Sequence, residues 1–82
     1  MSRIAAFGRV VREERLARGI SQEELAEKAN LHRNFISLVE RGQSKIALDS
    51  LFALADALDT SASTLLRRAE TAANKRQEKP DE

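Results

Sequence analysis

Cysteine is absent from the 82 residues, which excludes disulfides and thiolate zinc sites and fits a reducing compartment. With a single histidine, no metal-binding constellation can be assembled, and no cofactor is expected. No apolar run approaches the roughly 18 residues of a membrane span, and no signal-peptide pattern is present, so a soluble cytoplasmic protein is expected. Val and Ile are few and nothing alternates with period two, so strands are not expected. There is no Gly-rich phosphate loop and no nucleophile–base pairing, so an enzyme is not expected, nor a small-molecule substrate. Charge of either sign is not in large excess: 33% of residues are charged but the net is +1, so no strong overall field results.

What is present is helical periodicity. Phe7, Val10, Val11 and Leu16 are read as one apolar stripe, closed by Gly19, a residue suited to a left-handed helix cap. Ser21 with Glu24 three residues on is a capping box. It opens a short helix with Leu25, Ala26 and Ala29 on its buried face, and Asn30 can take the left-handed conformation that ends it. A third helix runs from about Arg33 to Arg41, packs through Phe35, Ile36 and Val39, and stops at Gly42. Leu48, Leu51, Phe52, Ala55 and Leu58 form the stripe of a fourth. Ser61 caps a fifth, carrying Ala62, Leu65, Leu66 and Ala69. From Thr71 the chain is polar and contains Pro80, and is read as a disordered tail. The expectation is an all-α, compact five-helix domain over residues 1–70 followed by a tail over 71–82.

Between the second and third helices stand only Asn30, Leu31 and His32, which makes a helix-turn-helix with Leu31 plugging the angle. If Phe35, Ile36 and Val39 face the core, His32, Arg33, Asn34 and Ser37 point outward. Arg and Asn have the donor and acceptor geometry that matches guanine and adenine edges in a major groove. The first turn opened by Ser21 offers backbone N–H groups and Gln22 to a phosphate. Glu13, Glu14, Glu23, Glu24 and Glu27 are read as solvated faces and helix-dipole partners rather than a carboxylate site.

The segment from Phe7 to Leu66 resembles the Xre family of lambda-repressor-like DNA-binding domains. The matching stretches are RLARGISQEELAEKANLHRNFISLVERG from Arg15 and LDSLFALADALDTSASTLL from Leu48. Size and isolated domain also resemble restriction-modification controller proteins. The resemblance implies base reading by Arg33, Asn34 and Ser37, with His32 adjacent. It implies phosphate contacts from Gln22 and from Gln43, Ser44 and Lys45, and an ion pair between Arg15 and Glu40 that ties helix one to helix three. The sequence departs from the family at three points. The loop Lys45-Ile46-Ala47 lacks the usual hydroxyl cap before helix four. Phe35 stands where Tyr is frequent, removing a phosphate contact, and Asp59 stands where Gly is common.

Charge by segment follows the same division. Residues 1–19 sum to +3, 20–31 to −2, 32–45 to +2, 46–66 to −3 and 67–82 to +1. Positive charge thus falls in the recognition segment and negative charge in helix four. The function expected is a sequence-specific transcription regulator of double-stranded DNA, with helix three in the major groove. One domain reads too few base pairs for genomic specificity, so a homodimer on a palindromic operator is expected. Ile46, Leu65, Leu66 and Ala69 are its expected interface, the alternative being that Leu65 and Leu66 close the monomer core. A different class of function is an antitoxin-type module that grips a protein and binds DNA secondarily.

Overall fold

The structure is a computed structural model and describes residues 1–77, with side chains through Asn74. Five helices follow one another: α1 (Arg3–Ala17), α2 (Gln22–Ala29), α3 (Arg33–Glu40), α4 (Leu48–Ala57) and α5 (Ala62–Gln77), with no strand among the described residues. α1 packs on α3 and α5, α2 on α3 and α4, and α4 on α5.

The punctuation works as the residue types dictate. Ser2, Ser21 and Ser61 accept hydrogen bonds from the backbone N–H groups of Ala5, Glu24 and Thr64. The capping box at Ser21 is complete, because the Ser21 N–H donates to the Glu24 carboxylate at 2.8 Å. Gly19 and Gly42 sit at φ +67° and +70°. Asn30 and Asp59, both at φ 57°, take the left-handed conformation that short polar side chains tolerate. Ala47, the N-cap of α4, makes no side-chain cap hydrogen bond, as the Lys45-Ile46-Ala47 loop requires. Ile46 is half-buried against the core.

The core is drawn from every helix: Phe7, Val10 and Val11 from α1, Leu25 from α2, Ile36 and Val39 from α3, Leu51 and Leu54 from α4, and Leu65 from α5. Gly8 lets α1 and α3 touch. A Cβ there would lie 2.0 Å from the Val39 carbonyl oxygen and 3.0 Å from the Glu40 backbone.

Four expectations are corrected. Leu16 is exposed. The α1 stripe of Phe7, Val10 and Val11 continues at i+7 and i+8 through Glu14 and Arg15, the latter buried, and Leu16 falls one position off it. In α4, Leu48 is 66% and Phe52 is 53% exposed. The buried stripe is Leu51, Leu54, Ala55 and Leu58, which has the expected spacing set three residues later. In α5, Leu66 is exposed while Leu65 and Ala69 are buried in the chain's own core. Finally, residues 71–77 are helical rather than a tail. Ala73, 1% exposed, continues the Ala62, Leu65, Ala69 stripe with a side chain too small to stand out in an apolar pattern. The remainder of the expected tail, 78–82, lies outside the described residues.

Candidate nucleic-acid interface

α3 is one helix with two chemistries. Ile36, Val39 and Glu40 are buried, whereas Arg33, Asn34 and Arg41 are exposed and Ser37 is half-exposed. Asn34, Ser37 and Arg41 stand at i, i+3 and i+7, and Arg33 one turn before Ser37, so they share the outward face. Arg41 was not singled out from the sequence, although its register one turn beyond Ser37 places it on this stripe. Its Nε donates to the Ser37 carbonyl at 3.3 Å. Phe35 is half-buried against the core.

His32 is the N-cap of α3 but makes no side-chain cap hydrogen bond. Its exposed ring lines a shallow groove with Arg33, Leu31 and the α2 carboxylates Glu23, Glu24 and Glu27. Leu31, between α2 and α3 in the chain, is partly buried and packs against the core. In the loop after α3, Gln43 and Lys45 are exposed, and the Ser44 hydroxyl donates to the Lys45 carbonyl at 3.0 Å. That bond braces the loop that presents Lys45.

The scaffold beneath α3 is a buried ion pair. Arg15 Nε donates to Glu40 Oε2 at 2.7 Å, and Arg15 Nη2 donates to Glu40 Oε1 at 3.0 Å. Arg15 Nη1 also donates to the Ile20 carbonyl at 3.0 Å. The hydrogen bond to Glu40 raises the Arg15 pKa against the opposing effect of burial, so the guanidinium stays charged. A two-point fork fixes orientation as well as distance, and it locks the C-terminal end of α3 to α1 and to the turn before α2.

Gln22, expected at a phosphate, has a partner within the fold. Its Nε2 donates to Glu40 Oε1 at 3.1 Å, and the side chain is half-buried. The Ser21 hydroxyl is likewise occupied in accepting from Glu24 N. What α2 leaves open in its first turn are the N–H groups of Gln22 and Glu23, which an isolated helix cannot satisfy internally.

Two apolar features lie outside this face. Leu48 and Phe52, one turn apart on α4, are exposed. A cavity of about 280 Å³ is lined by Ile4 and Phe7 of α1, Ile46 of the loop, and Leu66 and Ala69 of α5. The expected interface residues Ile46, Leu66 and Ala69 are therefore brought together, but Leu65 is wholly buried. Among the described residues no helix is long and apolar enough to cross a membrane, and no cluster of His, Cys, Asp or Glu could hold a metal ion.

A helix-turn-helix family pattern matches residues 11–65, the span from mid-α1 to α5. The control protein C.SmaI of Serratia marcescens is 47% identical over 58 residues, covering 71% of this chain and 69% of the relative. The control protein C.BamHI of Bacillus amyloliquefaciens is 41% identical over 61 residues, covering 73% of this chain and 75% of the relative. The crystal structure of the restriction-modification controller protein C.AhdI from Aeromonas hydrophila superposes with a TM-score of 0.74 at 42% identity, covering 76% of this chain and 94% of that one. With the two-helix geometry and the polar outward face of α3, these similarities make the chain a member of the Xre-type helix-turn-helix family of DNA-binding transcription regulators, the family of the control proteins.

Proposed function

We propose that the protein is a sequence-specific, cytoplasmic transcription regulator of the controller type that binds a palindromic operator as a homodimer. α3 enters the major groove, where Arg33, Asn34 and Ser37 read base edges with His32 beside them. The first turn of α2, through Ser21 and Gln22, and the Gln43, Ser44 and Lys45 loop hold the phosphate backbone. The observation that carries this reading is the outward stripe of α3, polar throughout and backed by a core on its other side. Such a stripe has the residue types for direct readout, and the rigid backing supplies the preorganisation that readout needs.

The homodimer follows from reach. Two α3 helices about 34 Å apart can meet successive turns of the major groove. Leu48 and Phe52 are better suited to pairing than Leu65, because they are exposed in the single chain. Ile46 and Leu66, across the cavity between α1 and α5, are a second candidate surface. That cavity also favours a second reading, an antitoxin-type module that seats a protein partner there. Selection of binding sites from random duplex DNA tests the first reading: a palindromic consensus is expected, and recovery of no preferred sequence refutes it. A stoichiometric partner protein recovered from native lysate supports the second.

A further inference from the structure

Glu40 is 8% exposed and its side chain 2% exposed, so it cannot itself touch DNA. Its carboxylate nevertheless accepts three hydrogen bonds, two from Arg15 and one from Gln22. The first two are enough to neutralise and orient a buried charge. The third is not needed for that purpose, and it has a separate geometric effect. A carboxamide is planar and carries two N–H donors and one acceptor. With one Nε2 hydrogen given to Glu40 Oε1, the Gln22 amide is tethered and its second hydrogen is confined to a narrower range of directions. Gln22 makes no other side-chain hydrogen bond among the described residues, and it is half-exposed. It is also the first residue of α2, where the unpaired N–H groups of the first turn and the helix dipole favour an anion.

We propose that Glu40 is a positioning residue for DNA binding, holding the Gln22 carboxamide so that its second Nε2 hydrogen is presented to a DNA phosphate. This rests on the reading above that the first turn of α2 meets the phosphate backbone. The buried Arg15–Glu40 pair then does two things. It ties α3 to α1, and it removes the rotational freedom that Gln22 would otherwise lose on each encounter with DNA. A phosphate contact made by a neutral side chain becomes effective because a buried charge aims it.

The test separates this role from fold maintenance. In a double variant, Arg15→Met with Glu40→Met, both ionic partners are replaced by apolar side chains, a change that is often neutral for stability. Binding to a random duplex is measured for wild type, Gln22→Ala, the double variant, and the triple variant. Gln22→Ala is expected to weaken binding about tenfold, the worth of one charge-assisted hydrogen bond. The double variant is expected to show a loss of similar size with an intact cooperative melt, and adding Gln22→Ala to it is expected to change nothing further. An undiminished effect of Gln22→Ala in the double-variant background overturns the proposal, because Gln22 then needs no anchor. A wild-type protein that selects a DNA sequence while Gln22→Ala binds as wild type also overturns it, and leaves the proposed function standing. A wild type that binds no DNA sinks both. The Gln22 side-chain amide resonances of the wild type give a readout that no unfolded variant can obscure. Displacement of one Nε2 proton from its random-coil position in the free protein, and of the other on adding duplex, supports the positioning role; an amide with both protons at random-coil positions in the free protein refutes it.

Discussion

Gly8 of α1 rests directly against the backbone of Val39 in α3, with room for a hydrogen but not for a methyl group. A Cβ at Gly8 would stand 2.0 Å from the Val39 carbonyl oxygen, and the obstacle is backbone that cannot swing aside. Alanine is otherwise the better helix former, by about 1 kcal/mol. Gly8→Ala is therefore expected to destabilise the fold by about 1–3 kcal/mol, the usual range for overpacking. For a domain of this size each kcal/mol lowers Tm by about 4–8 °C, which a thermal melt resolves. A variant as stable as wild type would show that α1 and α3 are less tightly apposed.

Truncating one member of the Arg15–Glu40 pair strands the other as a buried charge. Arg15→Ala is expected to cost about 3–5 kcal/mol, a large share of the roughly 5–15 kcal/mol that holds a small domain together. Urea titration at neutral pH is the measurement. A loss under about 1 kcal/mol would indicate that water reaches the carboxylate.

Base reading and backbone holding separate by sequence dependence. Arg33→Ala is expected to cost about 1–3 kcal/mol on the selected operator and to relax preference at one base position. Competition binding against duplexes altered one position at a time checks it. Equal losses on operator and random DNA would reduce Arg33 to a phosphate contact.

Lys45→Ala is expected to weaken binding to all duplexes alike and to lower the salt slope by about one unit, since one cation leaves the backbone. Affinity measured across a salt series reads this directly. An unchanged slope would place the loop after α3 away from the phosphates.

Pairing is examined through Phe52→Asp, with Leu48→Asp beside it. Both side chains are more than half exposed, so the monomer is expected to keep its melt while sedimentation at micromolar concentration shifts from dimer to monomer. A dimer that survives both changes and is lost in Leu66→Asp would move the interface to the cavity between α1 and α5.

The sequence by itself determined the helices and most of their ends, although not how far α5 runs past Thr71. Gly19, Ser21 with Glu24, Asn30, Gly42 and Ser61 are local devices, and local sterics and hydrogen bonding act without the rest of the fold. The outward set on α3 was legible for a related reason. Only one face of that helix is apolar, so the phase of burial is unambiguous. α4 shows the converse. Leucine and alanine occupy nearly every face from Leu48 to Leu58, and several stripes three or four residues apart fit equally well. Packing against α2 and α5 chose the one through Leu51, Leu54, Ala55 and Leu58, and left Leu48 and Phe52 outside. The same holds where burial falls on charge. Arg15 is buried and Leu16 exposed because Glu40, 25 residues away, supplies the partner that makes burying a guanidinium tolerable. Gln22 turns toward that carboxylate rather than wholly to solvent. These outcomes depend on groups distant in sequence meeting at hydrogen-bond distance, and only the tertiary structure brings them there.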